Sequence, residues 1–324
     1  MGIYSLNKLK GIAIGRETAF GAGGTVSEWI GASEESLQLS IPNENIKELN
    51  QRREVKKTYQ KARSVEGGVN FDVDIDNGLG VILRSFFGTV TDVSANGTFI
   101  TAYKHTFEFR QGAEVDSVWI SSNKLPGTNV AKNYVGLVPA SIGFDFPEDD
   151  TIKAQVSFLG QNEATGTVMN GTYGTFQPFT SMGNLQVLID GVVNSDITNL
   201  SIEPNNNAKK IMGVGTNNTI SKIVYGEVVC EGSFDIVFVD ETERNKFINK
   251  TASTLQIKLT GATLSGTAKA ELNFKMPKVE YVEAPFEDKD GVIGATIGFK
   301  AIYGANAVGT GALICELQNT KASY

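Results

Sequence analysis

The sequence is poor in the residues that most often carry chemistry. Its 324 residues include one histidine, His105, and two cysteines, Cys230 and Cys315. A metal centre built on several histidines is therefore excluded, and the cysteines lack the short spacing of a zinc or redox pair. Each cysteine ends an apolar run, Val228-Val229-Cys230 and Leu313-Ile314-Cys315, which reads as a small buried thiol kept reduced. His105 lies in Tyr103-Lys104-His105-Thr106-Phe107, an alternating, strand-like setting that offers no partner for a general base. No run is apolar for long enough to span a bilayer as a helix, and the first ten residues show no secretory signal. The expected setting is a reducing cytoplasm, with no membrane anchor. Excess positive charge is missing too: 29 Lys and Arg face 36 Asp and Glu, a formal net charge of −7. A surface that grips nucleic acid needs the opposite balance.

Motifs that resemble binding sites fail in detail. Asp72-x-Asp74-x-Asp76 opens like a calcium loop, but Asn77 stands where glycine belongs and Leu83 where the closing glutamate belongs. Gly78-x-Gly80 and Gly213-x-Gly215 lack the third glycine of a dinucleotide turn, and no phosphate loop occurs. No catalytic residue, metal or cofactor is expected, and the chain is not expected to be an enzyme.

What the chain does have is glycine, phenylalanine and many β-branched residues, which favour pleated half-buried surfaces and tight turns over long helices. The expected class is mainly β. The chain also repeats itself. Leu39-Ser40-Ile41-Pro42-Asn43 matches Leu200-Ser201-Ile202-Glu203-Pro204-Asn205, with one residue inserted. Further on, Glu66-Gly67-Gly68 leads into Val69, Phe71 and Val73, as Glu231-Gly232-Ser233 leads into Phe234, Ile236 and Phe238. Such period-two alternation buries one face of a strand. A helical pattern follows in each half, Leu79 to Phe87 and Glu241 to Asn249. A hairpin closes each half: Ala140 to Phe146 and Ile152 to Gly160 about Glu148-Asp149-Asp150, then Val279 to Phe286 and Val292 to Gly304 about Asp288-Lys289-Asp290-Gly291. These matches, in one order, predict a duplication, with domains at 1–170 (including an N-terminal arm, 1–30) and 171–324.

Several stretches together resemble the tail tube proteins (major tail proteins) of long-tailed bacteriophages. They are Gly15-Arg16-Glu17-Thr18-Ala19-Phe20-Gly21, Glu35-Ser36-Leu37, Val65-Glu66-Gly67, and Gly78-Leu79-Gly80 through Phe86-Phe87-Gly88. In the second half, Pro178-Phe179-Thr180-Ser181, Ile189-Asp190-Gly191 and Val228 to Phe234 continue the likeness. No one of these is specific; their order and spacing carry it. The resemblance implies two tandem tail-tube domains, each a β-sandwich or partial barrel with a short flanking α-helix. Sheets would join edge to edge into a continuous inner β-barrel, in rings that stack into a hollow tube through which DNA leaves the virion. Six tube domains per ring and two per chain predict a homotrimeric, pseudo-hexameric ring, with a homohexameric ring as the alternative. The implied partners are further copies of the chain, a tape-measure protein in the lumen during assembly, and tail terminator and baseplate or tail-tip proteins. The implied location is the virion tail, assembled in the host cytoplasm.

Two sets of residues are candidates for these roles. Asp72, Asp74, Asp235 and Asp240, on the polar face of the alternating strands, are candidates to line the lumen, where acidic groups would not hold DNA. Lys47, Arg52, Arg53, Lys56, Lys57, Lys61 and Arg63 form the one basic patch. It reads as a loop that meets the neighbouring ring, as a solvated helix or hairpin face, or as a contact for nucleic acid. Two other functions remain open: a β-rich decoration or host-attachment protein, and the tube of a contractile injection system.

Overall fold

The computed structural model describes residues 11–47, 54–55, 57–96, 99–112, 114–125, 130–175, 177–215, 218–237, 241–289 and 292–324. Strands dominate. The first half contains β1 (Ile12–Arg16), β2 (Ala32–Glu35), β3 (Gln38–Ser40), the hairpin β4 (Asn43–Asn45) and β5 (Thr58–Gln60), and β6 (Ser64–Asp72). Helix α1 (Leu79–Phe87) follows, then β7 (Gly88–Asn96), β8 (Phe99–Phe109), β9 (Val118–Leu125), β10 (Val130–Phe146) and β11 (Lys153–Gly160). The second half contains β12 (Leu185–Ile189), β13 (Ile197–Asn205), the hairpin β14 (Lys209–Met212) and β15 (Ile220–Val224), and β16 (Val229–Val237). Helix α2 (Thr242–Ile248) precedes β17 (Ser253–Ser265), β18 (Ala268–Glu283), β19 (Phe286–Lys289), β20 (Val292–Ala301) and β21 (Ile314–Asn319).

Two large layers of antiparallel sheet, with a smaller sheet of β1, β9, the start of β10 and residues 162–166, enclose the core. In the first, strands lie in the order β2/β3, β6, β11, β10, β13, β16, β20, β18/β19. The second runs β7, β8, β21, β18, β17, β12. Period-two alternation decides the packing: Val69, Phe71, Val156, Phe158, Phe234, Ile236, Ile297 and Phe299 point into one continuous core, and the alternate residues face out. Across that core Phe274 of β18 meets Phe144 of β10, ring centroids 4.6 Å apart.

Helix α1 spans the residues that its sequence pattern predicts, between two glycines in the left-handed conformation, Gly78 and Gly88. Both αL positions favour glycine, so the helix ends are written locally. The expected N-terminal arm is a different matter. Residues 1–10 lie outside the described residues, but Ile12, Ala13 and Ile14 are buried in β1 and paired with β9. An apolar triplet of this kind gains more by joining the core than by reaching out. The stretch about the expected domain boundary is also built in: residues 162–166 pair with β10, and Tyr173 packs edge-on against Trp29.

Candidate functional site

The first layer repeats a strand set with the same registers. In the first half Val65, Val69 and Phe71 of β6 face Gly160, Val156 and Ala154 of β11. In the second, Cys230, Phe234 and Ile236 of β16 face Ala301, Ile297 and Ala295 of β20. Even the irregularities recur. The β2–β6 register shifts between Ala32 and Glu34, and the β13–β16 register between Ile197 and Asn199. The β10–β11 register shifts between Pro139 and Ser141, and the β18–β20 register between Tyr281 and Glu283. A bulge re-aims a strand, so its recurrence fixes the same curvature twice.

The Glu-Gly step has a steric cause. A Cβ on Gly67 would collide with the carbonyl oxygen of Ser36, and one on Gly232 with that of Ser201. Ser36 and Ser201 occupy equivalent places. The same registers correct the first sequence match. Gln38-Leu39-Ser40 corresponds to Glu203-Pro204-Asn205, so aligning Leu39 with Leu200 is four residues out of step.

The two strand sets meet where β10 pairs with β13, through Ser141 with Asn205, Phe144 with Ile202, Asp145 with Ser201 and Phe146 with Leu200. Asn206 N–H extends this junction by donating to Ala140 O at 2.9 Å. The remaining two edges of the layer, β2/β3 at one end and β19 with residues 280–283 of β18 at the other, have no further strand beside them among the described residues; the rest of β18 lies between β17 and β21 in the second layer. By register, Glu283 and Phe286 stand in the second half where Ser141 and Phe144 stand in the first. Their surroundings differ sharply. Phe144 is 1% exposed and Phe286 51%; Ile152 is fully covered and its counterpart Ile293 is 66% exposed. Arg244 of α2 lies over the Phe286 ring at 4.5 Å. Helix α2 itself has no buried residue, whereas α1 is buried along most of its length.

The hairpins repeat as well. Glu44 faces Tyr59, and Asn45 faces Thr58, as Lys209 faces Val224 and Lys210 faces Ile223. The second hairpin is seated on the first half: Ile220 and Ile223 are buried with Val138, flanked by Phe20, Val115 and Leu159. Gln161 Nε2 donates to Ile220 O at 2.9 Å, and Arg63 N–H to Asn218 O at 2.7 Å. Lys210 reaches Ser64 Oγ at 3.1 Å and forms an ion pair with Glu66, whose carboxyl that hydrogen bond holds below the usual range. In the first hairpin Val55 and Tyr59 are exposed.

Of the basic candidates, Lys47 and Lys57 are exposed beside this hairpin, Lys61 is paired with Glu44, and Arg63 is half-buried at its root. Arg52, Arg53 and Lys56 lie outside the described residues, as does Asp240. Among the acidic candidates, Asp72 ends β6 and accepts a hydrogen bond from Thr151 Oγ1 at 2.9 Å. Asp235 accepts from Thr296 Oγ1 at 2.6 Å, on the outward face of the layer. Asp74 differs from the expectation. The strand stops at Asp72, and Asp74 turns inward, 8% exposed, taking the Asp76 N–H at 2.7 Å. Burial pushes its carboxyl up to about 6. Around Asp72 and Asp235 the outward face also carries Glu66, Asp145, Glu203 and Glu231, against Lys153 and Lys300. Sequence reasoning missed these four acids, although they alternate with core residues in the same strands.

Away from the edges, His105 is fully buried. Its Nδ1 lies 2.7 Å from Asp92 Oδ1 and its Nε2 3.1 Å from Asn319 Oδ1. Asn319 Nδ2 donates to Ile75 O and Tyr324 OH, so the cluster ties the C-terminus to β8. Burial pushes the Cys230 thiol up to about 12, which suits a packing residue.

In comparisons with known proteins, the family described as phage tail tube protein matches residues 8–301. No curated protein matches the chain.

Proposed function

The chain belongs to the phage tail tube protein family, a structural family of the virion tail, and from that premise we propose that it forms rings of three chains, each supplying two tube domains. Domain boundaries near residue 170 suit the proposal, although the two domains share a core. The observation that carries this reading is the β10–β13 junction between two strand sets of identical register. Repeating that junction between chains would put the β18/β19 edge of one against the β2/β3 edge of the next. Such a contact is head-to-tail and closes only as a ring. The exposed Phe286 and Ile293, whose counterparts are buried, supply the apolar surface for it.

Geometry favours three chains over six. Each chain contributes eight strand positions to the layer. At about 4.8 Å per strand, three chains give a circumference of about 115 Å and a diameter of about 37 Å, which strand tilt widens. Six chains would double that and leave a duplex loosely enclosed. The outward acidic face, with Asp72 and Asp235, would line the channel. Three chains carry a net −21, and a wall of that sign lets DNA pass without gripping it. Asp74, turned inward, contributes nothing to such a wall, whereas Asp240 remains a candidate. Lys47, Arg52, Arg53, Lys56, Lys57, Lys61 and Arg63 would present positive charge to the adjacent ring. A tape-measure protein within the lumen and terminator and baseplate or tail-tip proteins at the ends complete the proposed assembly, which forms in the host cytoplasm.

Electron microscopy of the purified, assembled protein tests this directly. Hollow tubes with three chains per ring are expected. Six chains per ring would overturn the two-domain reading, and a persistent monomer would overturn the ring itself.

A further inference from the structure

We infer that the first hairpin, β4–β5, is a clasp that lies over the second half of the neighbouring chain in the same ring, as β14–β15 lies over the first half of its own chain. The inference rests on the ring proposed above and adds a second, separate contact to it. Because each seated hairpin touches the root of the other, repetition produces a belt of hairpins around the ring.

The registers locate the partners. Val55 and Thr58 take the places of Ile220 and Ile223, the two residues by which the second hairpin is seated. Val55 is 58% exposed where Ile220 is fully covered. Glu280 and Lys300 take the places of Val138 and Leu159, which form the seat in the first half. Ile302 follows where Gln161 stands, and beside it Tyr303 is largely exposed. At the tip, the second hairpin forms a β-bridge from Thr219 to Arg63. The corresponding residues are Glu54 on the first hairpin and Val228 at the root of the second.

The sequence differences between the two junctions run together. Where the intrachain junction has Ile223 against Val138 and Leu159, the proposed interchain junction has Thr58 against Glu280 and Lys300. Both sides have become polar at once. That is the chemistry expected of a contact whose two faces must each be soluble before they meet, while the copy sealed within a chain never faces water. Lys57 corresponds to Lys222, which is exposed on the seated hairpin. Seating the hairpin therefore leaves that side toward solvent or an adjacent ring, compatible with the stacking role of the basic residues.

Cysteine cross-linking tests the clasp, since Cys230 and Cys315 are both buried. Assembled tubes of the double variant Glu54→Cys, Val228→Cys are oxidised mildly and run under denaturing conditions without reductant. Covalent species ending at three chains, absent from unassembled protein, are expected. The pair Glu283→Cys, Ser40→Cys, taken from the Ser141–Asn205 register, probes the ring edge alone. If it cross-links to three chains while the first pair does not, the clasp is wrong and the ring stands. A ladder extending beyond three chains from the first pair would place the hairpin on the next ring and also overturn the clasp. Failure of both pairs in assembled tubes would remove the ring geometry with it.

Discussion

Phe144 and Phe286 occupy the same place in two repeats, and replacing each by alanine should differ in its consequence for assembly. Phe144 is buried within the chain. Its truncation should cost about 3–5 kcal/mol of folding stability and lower the denaturation midpoint of the unassembled protein. Phe286 is 51% exposed in the single chain. A phenylalanine buries about 200 Å² when fully covered, so about 100 Å² remains for a partner to cover. At about 25 cal/mol per Å² this is about 2.5 kcal/mol per junction, or ~70-fold in affinity. A ring of three loses that amount at three junctions. Because three chains combine, the concentration for half-assembly should rise ~600-fold. In the free chain the half of the ring already covered, about 100 Å², is lost as well, at most about 2.5 kcal/mol, with the cation–π contact to Arg244 adding about 0.5–1 kcal/mol, so the assembly midpoint is compared with this measured loss of folding stability. Sedimentation velocity over a concentration series measures the assembly midpoint, and chemical denaturation of the monomer measures the fold. An assembly midpoint within about tenfold of the unsubstituted protein would refute the claim that Phe286 becomes buried as Phe144 is.

Further expectations concern charge, the core and pH. Reversing Arg52, Arg53, Lys56 and Lys57 to Glu should leave single rings intact but impair stacking, more so at low salt where surface charge is least screened. Tubes of normal length from that variant would remove the inter-ring role. His105→Phe removes the hydrogen bonds to the partly buried Asp92 and to Asn319 Oδ1, which keeps only the Lys321 N–H, and should cost about 1–3 kcal/mol, read by denaturant unfolding; an unchanged midpoint would show that the cluster contributes nothing. Asp74 has a folded-state value of about 6 against 3.8 for the free group. Its raised value means that the folded chain holds a proton more tightly than the unfolded one. Its contribution therefore falls as pH rises from about 3.8 to about 6. Asp74→Asn keeps the acceptor for Asp76 N–H and should raise stability at neutral pH. The difference between the two proteins should shrink toward pH 4, and a pH-independent difference would contradict the burial effect.

Local features were legible in the sequence, and pairing was not. Helix α1 could be read to its ends because its glycine caps and apolar face are local signals. The Glu-Gly steps stood out for a steric reason that sequence also reflects, the close approach of Ser36 and Ser201. The Leu39-to-Leu200 match misled because the true equivalents, Leu39 with Pro204 and Gln38 with Glu203, include surface positions that packing leaves free to diverge. Asp74 was misplaced by extending the alternation of β6 two residues past its end. The pairing of β21 with β8, more than 200 residues apart in sequence, and the burial of His105 beneath it depend on contacts that no local pattern encodes. Exposure was illegible for the same reason: Phe144 and Phe286 face equivalent alanines, Ala154 and Ala295, but only Phe144 also has a strand on its other side, at Ile202.

The β10–β13 junction also bears on how fast a ring can form. Two strand sets on one polypeptide meet at the effective concentration of a tethered pair, on the order of millimolar for short connections, and do so while the chain folds. Half of the lateral junctions in a three-chain ring would then be complete before any two molecules collide. In the proposed ring, closure would be a third-order rather than a sixth-order problem in protein concentration, which would give a nascent ring fewer incomplete forms in which to stall. Duplication of this kind moves part of the assembly of a particle into the folding of its parts.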